Sequence, residues 1–191
     1  MKIIGKNSLL YWLRIPFLIY FIGFTLSSIW IIGLCIYYLI TKNLTKYISI
    51  EKVEEFKYDY FKKMPTIIEK INFHYPFSQM VVQTDNNTLN ILMSVLGLLS
   101  VCFILYSILN FITSVTQELI FTPRTVKSLN VFGYGLIIIG LLHILVEYLD
   151  KNHHYGIGTP FLAIIIGLVI LMIKEVFLRG KKIQEENDLT I

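Results

Sequence analysis

Ile15 to Ile40 reads IPFLIYFIGFTLSSIWIIGLCIYYLI, an unbroken run without a charged side chain. A helix needs about 20 apolar residues to cross the ~30 Å hydrocarbon layer of a bilayer. This run exceeds that; an isolated strand could not satisfy its backbone in lipid, and the strict alternation of a membrane strand is missing. It is also longer than the apolar core of a cleaved signal, and no A-x-A site follows it. Lys2, Lys6 and Arg14 precede it as a basic flank, so the reading is an uncleaved anchor.

Three further blocks follow the same logic. Leu89 to Thr113 is uncharged. Val131 to Leu149 carries only His143 and Glu147. Phe161 to Leu178 is interrupted by Lys174 and Glu175 alone. Hydrophobic residues make up 55% of the 191 and charged residues 16%, against about 25% charged in a soluble domain. The charges lie almost entirely between the blocks. The expected fold is an all-α membrane protein, a single membrane domain over residues 1–191. Its spans fall at about 15–40, 89–113, 131–149 and 161–178, with an outer loop at 41–88 and a tail at 179–191.

Local punctuation supports these limits. Pro16 is expected near the start of the first helix, where a missing N–H is harmless. Asp85-Asn86-Asn87-Thr88 offers a cap before the second helix. Thr122-Pro123 has the form of a cap and a first helical residue. Gly156, Gly158, Thr159 and Pro160 make a short break between the third and fourth spans, which makes those spans antiparallel neighbours. Gly133, Gly135 and Gly140 are spaced to let helices approach closely.

The outer loop is the largest piece outside the spans, and a small mixed cap without a core of its own is expected there. Leu44, Ile48, Val53, Phe56, Tyr60 and Met64 fall roughly on one helical face. Asn72 to Val82 is richer in strand formers, with Pro76 confining it to an edge.

Four spans place both termini on one side of the membrane. Lys2, Lys6, Arg14, Arg124, Lys127, Lys174, Arg179, Lys181 and Lys182 lie on that side. Lys42, Lys46, Lys52, Lys57, Lys62, Lys63, Lys70 and Lys151 lie on the other. The counts nearly balance, but all three arginines flank the terminal side and many loop lysines sit far from any span. Cytoplasmic termini follow from the positive-inside rule. The net charge of +4 is then a matter of juxtamembrane cations beside lipid headgroups, and no direct nucleic-acid contact is expected.

Chemistry-bearing residues are few. His143 and Glu147 share one face of the third span, and an intramembrane ionisable pair is a functional candidate by default. Asp150, His153 and His154 follow and could add ligands for a divalent metal. Against this, His143 could simply bond Ser94, Ser100, Ser107 or Asn110 of the second span. Cys35 and Cys102 sit within spans and are expected as small packing residues. No nucleotide-binding, zinc or redox motif occurs. No catalytic residue, metal site or cofactor is assigned, and the expectation is a protein that is not an enzyme.

The tail, Arg179-Gly180-Lys181-Lys182 followed by Gln184-Glu185-Glu186-Asn187-Asp188 and an apolar Leu189-Thr190-Ile191, is expected to serve as a docking peptide. It could pair as a strand with a partner or fold back onto Phe121-Thr122-Pro123.

The run Glu175 to Ile191, EVFLRGKKIQEENDLTI, resembles the C-terminal signature of a bacterial membrane family, domain of unknown function 2975, whose pattern is E-[IV]-F-x-x-G-x-x-[LI]-x-x-E-N-D-L-T-I. Phe121 to Leu129 is similar to that family's inner loop, with Ile120 and Thr125 departing from its usual proline and asparagine. The resemblance implies a four-span protein of the bacterial cytoplasmic membrane, often encoded beside a small helix-turn-helix regulator. It therefore implies a membrane module that senses or anchors. The residues expected to bind the cytoplasmic partner are Phe121, Thr122, Arg124, Arg179, Gly180, Gln184, Glu185, Glu186, Asn187, Asp188, Leu189, Thr190 and Ile191. The alternative is a small transporter or metal-handling protein using His143 and Glu147. The sequence leaves the oligomeric state open.

Overall fold

The computed structural model describes residues 8–59, 62–76, 78–116, 121–149 and 158–188, with backbone alone for 55–59, 62–66 and 187–188. The elements run α1 (Leu9–Thr41), β1 (Ile48–Asp59), β2 (Lys62–His74), β3 (Val81–Asp85), α2 (Thr88–Val115), α3 (Pro123–Leu149) and α4 (Gly158–Asp188). All four helices are long and apolar enough to cross a membrane. Each predicted span lies inside one of them. The chain divides into two compact units: residues 1–24 with 100–191, and residues 25–99.

Helix starts follow their caps. Leu89 N–H donates to Asn87 Oδ1 at 3.4 Å, and Thr125 N–H donates to Thr122 Oγ1 at 3.2 Å. Both are short side chains satisfying donors that the first helical turn leaves without partners. Tyr11 N–H similarly donates to Ser8 Oγ at 3.3 Å. That earlier start corrects one expectation. Pro16 lies inside α1, not near its first turn. The missing N–H leaves the Trp12 carbonyl without its helical donor, a defect membrane helices accommodate through local adjustment. At its other end α1 stops at Lys42, which adopts φ 53° and donates its N–H to Tyr38 O at 2.8 Å. A left-handed residue one step past a helix closes it in this way.

In the unit of residues 25–99, the loop is a three-stranded antiparallel sheet in the order β1-β2-β3. This overturns the helical face expected over Leu44 to Met64: Leu44 lies in the loop before β1, β1 and β2 hold Ile48, Val53, Phe56 and Met64, and Tyr60 lies outside the described residues. Pairing sets Ile48 opposite Phe73 and Ile50 opposite Ile71, so one face is aliphatic and aromatic. That face packs on α1 and α2. Ile31, Cys35 and Tyr38 of α1, Ile48, Ile71 and Phe73 of the sheet and Ile91 of α2 form one buried cluster. Removing each of these large side chains from water is worth about 1.5–3 kcal/mol. The sheet thus has a core, shared with the ends of two helices. Beyond it β3 stops. It pairs only with Lys70–His74, so the rest of the β1–β2 hairpin continues as a two-stranded arm. Pro76 falls in the turn between β2 and β3, where no ladder bond is lost.

In the other unit, α3 and α4 pack closely and antiparallel. A Cβ on Gly133 would lie 2.7 Å from Leu171 Cδ2 and 3.0 Å from Gly167 O; one on Gly140 would lie 2.8 Å from Pro160 O. Backbone therefore meets backbone, the contact that small residues permit between helices in lipid. Gly135 points elsewhere and accommodates the Phe103 ring of α2. Leu129, Leu136 and Ile170 are buried beside this seam, against Ile104, Phe111, Phe132 and Phe177.

Candidate functional site

Two places in the unit of residues 1–24 and 100–191 gather the predicted residues. The first joins the loop after α2 to the end of α4. Phe121 stands just before the Thr122 cap. Its ring centroid is 5.3 Å from that of Phe177, edge to face, and Phe177 in turn meets Phe111 of α2 at 6.4 Å. Gly180, one turn beyond Phe177, has no side chain to keep that ring away. A Cβ there would sit 2.7 Å from Phe121 Cε1. Loop and tail, separated by more than fifty residues of sequence, make one surface.

Past the span, α4 continues as helix through Asp188. Lys174, Phe177, Leu178, Gly180, Lys181 and Gln184 are half-buried, a helical stripe, while Glu175, Arg179, Lys182, Glu185 and Glu186 are exposed. Lys181 pairs with Glu185 at 3.3 Å along the helix, and Lys174 with Glu175 at 2.8 Å. Spaced i to i+4 on the helix, the Lys181–Glu185 pair contributes about 0.3–0.5 kcal/mol. Arg124 is exposed on the first turn of α3. Thr122 is engaged as the cap, its hydroxyl 2.9 Å from that of Thr125. Asn187 and Asp188 are helical in backbone. Leu189, Thr190 and Ile191 lie outside the described residues, as do Asp150, His153 and His154.

The second place is the α2–α3 contact. Ser100 Oγ and His143 Nε2 are 3.2 Å apart, a hydrogen-bond distance. Of the four partners considered for His143, the fold selects Ser100. Glu147 lies one turn further along α3, half-buried like His143. Ser107 and Ser114 repeat Ser100 at seven-residue steps along α2. Ser114 Oγ donates to Asn110 O at 2.8 Å, whereas Ser107 Oγ is buried with no partner among the described residues. Among the described residues no three His, Cys, Asp or Glu side chains gather as a metal site. Cys35 and Cys102 are free thiols.

The aromatic cluster was not anticipated. Phe111 and Phe177 carry no local signal, since each sits in an apolar run where any residue reads as lipid-facing. Gly167, the α4 counterpart of Gly133, was also missed.

No curated protein and no solved structure matches the chain. Residues 10–191 match the family described as protein of unknown function (DUF2975). That span includes the sheet, the tail and, but for Leu9, the four helices long and apolar enough to cross a membrane, and the chain belongs to this family.

Proposed function

We propose that the protein is a sensor or anchor of the bacterial cytoplasmic membrane, not an enzyme, with both termini in the cytoplasm. It recruits a cytoplasmic partner through the loop at Phe121–Arg124 and the helical end of α4. The observation that carries this reading is the seating of Phe121 on Gly180 and Phe177. It makes a composite surface from the two stretches in which the family resemblance lies. The exposed residues Arg124, Arg179, Glu185 and Glu186 supply charge of both signs at its rim, which favours recognition of a specific protein over general attraction to an anionic surface. The partner class implied by the resemblance is a small helix-turn-helix regulator. Signalling through such a module requires two packings of the helices with different affinity for the partner. Deleting residues 184–191 is expected to abolish co-purification of the partner from mild detergent while membrane insertion persists. Undiminished co-purification rejects the reading.

A second reading, transport or metal handling through His143 and Glu147, rests on the half-buried placement of the two side chains one turn apart on α3. The Ser100 contact weighs against it, because it already gives His143 a structural partner. Transport or metal handling there requires that His143→Ala and Glu147→Gln lose metal binding or transport at normal expression. Parental behaviour of both variants in a chelator competition removes it.

A further inference from the structure

An open groove of about 280 Å³ runs beside the first turns of α1, lined by Tyr11, Arg14, Ile15 and Leu18. The spacing is i, i+3, i+4, i+7, so the four side chains share one face of the helix. Arg14 is the last charged residue before the uncharged run of α1. Its guanidinium therefore stands at the level where hydrocarbon gives way to headgroups. On one side of it lies the Tyr11 phenol; on the other lie the aliphatic Ile15 and Leu18. Along the groove the order is polar, cationic, apolar, the same order in which a phospholipid presents headgroup, phosphate and acyl chain.

We infer that this groove is a binding site for one anionic phospholipid, its phosphate on Arg14 and its acyl chain along Ile15 and Leu18. Several observations favour that occupant. Arg14 and Leu18 are half-buried at its floor, and Tyr11 and Ile15 form its exposed rim. No ion pair among the described residues uses Arg14. Its planar fork, which suits a phosphate with two parallel hydrogen bonds, is available to a ligand. The Tyr11 ring is held edge-on against Trp12 at 6.0 Å, and this pair is of the type that settles at the membrane interface. The lipid is thereby specified as anionic: a zwitterionic headgroup places its own cation beside the arginine and weakens the contact.

The test is native mass spectrometry of the full chain in mild detergent, titrated separately with phosphatidylglycerol, phosphatidylcholine and glycerophosphate. The parent is expected to retain one phosphatidylglycerol in preference to phosphatidylcholine. Arg14→Gln is expected to lose about tenfold in that affinity, the weight of a charge-assisted contact. Because Arg14 also helps orient the chain in the membrane, Leu18→Trp provides an independent variant. It fills the groove with the charge intact, and a similar loss is expected. Lys182→Gln serves as the control and should bind like the parent. Equal retention of the two lipids, undiminished binding by either groove variant, or displacement of the lipid by glycerophosphate at equal concentration would each overturn the assignment.

Discussion

The ring of Phe121 occupies the space in which a side chain at position 180 would stand, 2.7 Å from the nearest ring carbon. Phe177 packs edge to face against the same ring at 5.3 Å. Gly180→Val must therefore displace Phe121 or bend α4. Overpacking of this kind costs about 1–3 kcal/mol. The expected result is a lowered melting temperature of the detergent-solubilised protein and faster proteolysis at residues 121–124. Phe121→Ala combined with Gly180→Val should recover part of the loss, since the clash is with that ring. Additive losses would show that the two residues do not compete for one space.

The glycines divide into two classes by what surrounds them. Gly133, Gly140 and Gly167 each have a backbone oxygen of the facing helix within 3.0 Å of the missing Cβ. Gly23, Gly33 and Gly97 have nothing within 4 Å. Backbone cannot step aside as a flexible side-chain tip can. Alanine at Gly133, Gly140 or Gly167 is expected to loosen the α3–α4 pair by about 1–3 kcal/mol. Alanine at Gly23, Gly33 or Gly97 should be neutral or slightly favourable, because alanine suits a helix better than glycine. Thermal unfolding of the six single variants distinguishes the classes, and indifference at Gly133 or Gly140 would contradict the close antiparallel seam.

These contrasts also show what could be read from the chain alone. Caps such as Asn87 and Thr122 act within three residues, so their sequence signal survives in the fold. The membrane helices follow from length and apolarity, and the Gly133/Gly140 spacing announces a close neighbour. The arm of the sheet was misread because Lys52, Glu54, Glu51 and Glu55 interrupt the alternation on both faces. With those charges breaking the period of two, Val53 and Phe56 mimic a helical stripe in the sequence. The helical tail was illegible for another reason. Arg179-Gly180-Lys181-Lys182 reads as a basic collar with a glycine break, whereas in the fold Gly180 stays helical where Phe121, distant in sequence, fills the space beside it. His143 had four plausible serine or asparagine partners, and only the pairing of α2 with α3 selects Ser100.

The Ser100–His143 contact should be measurable as a coupling. Hydrogen bonds between membrane helices contribute about 0.6 kcal/mol on average in double-mutant cycles. Ser100→Ala and His143→Ala are each expected to destabilise. The double variant should fall short of the sum of the two single losses by roughly that amount. Strict additivity would mean that the 3.2 Å approach contributes nothing to the packing of α2 on α3. Ser107→Ala gives the comparison. Its hydroxyl is buried with no partner among the described residues, so removing it should be neutral or stabilising.

In the unit of residues 25–99, Tyr38 ties α1 to the strand-to-helix turn. Its hydroxyl donates to Asn86 Oδ1 at 2.8 Å, and its ring lies edge-on to Phe73 at 6.3 Å. Asn86 is itself held to β2, donating its N–H to Glu69 O at 2.8 Å. The two functions of Tyr38 separate by substitution. Tyr38→Phe keeps the ring and removes one hydrogen bond, so a loss of about 1 kcal/mol is expected. Tyr38→Ala also empties part of the cluster formed by Ile31, Cys35, Ile48, Ile71 and Phe73, and should cost about 3–5 kcal/mol, as other aromatic-to-alanine truncations do. Hydrogen exchange at the amides of Lys70–Asn72 and Val82–Thr84 reads both effects at the sheet. Tyr38→Ala should accelerate it far more than Tyr38→Phe. Equal acceleration would place the contribution of Tyr38 in its hydroxyl rather than in the packed ring.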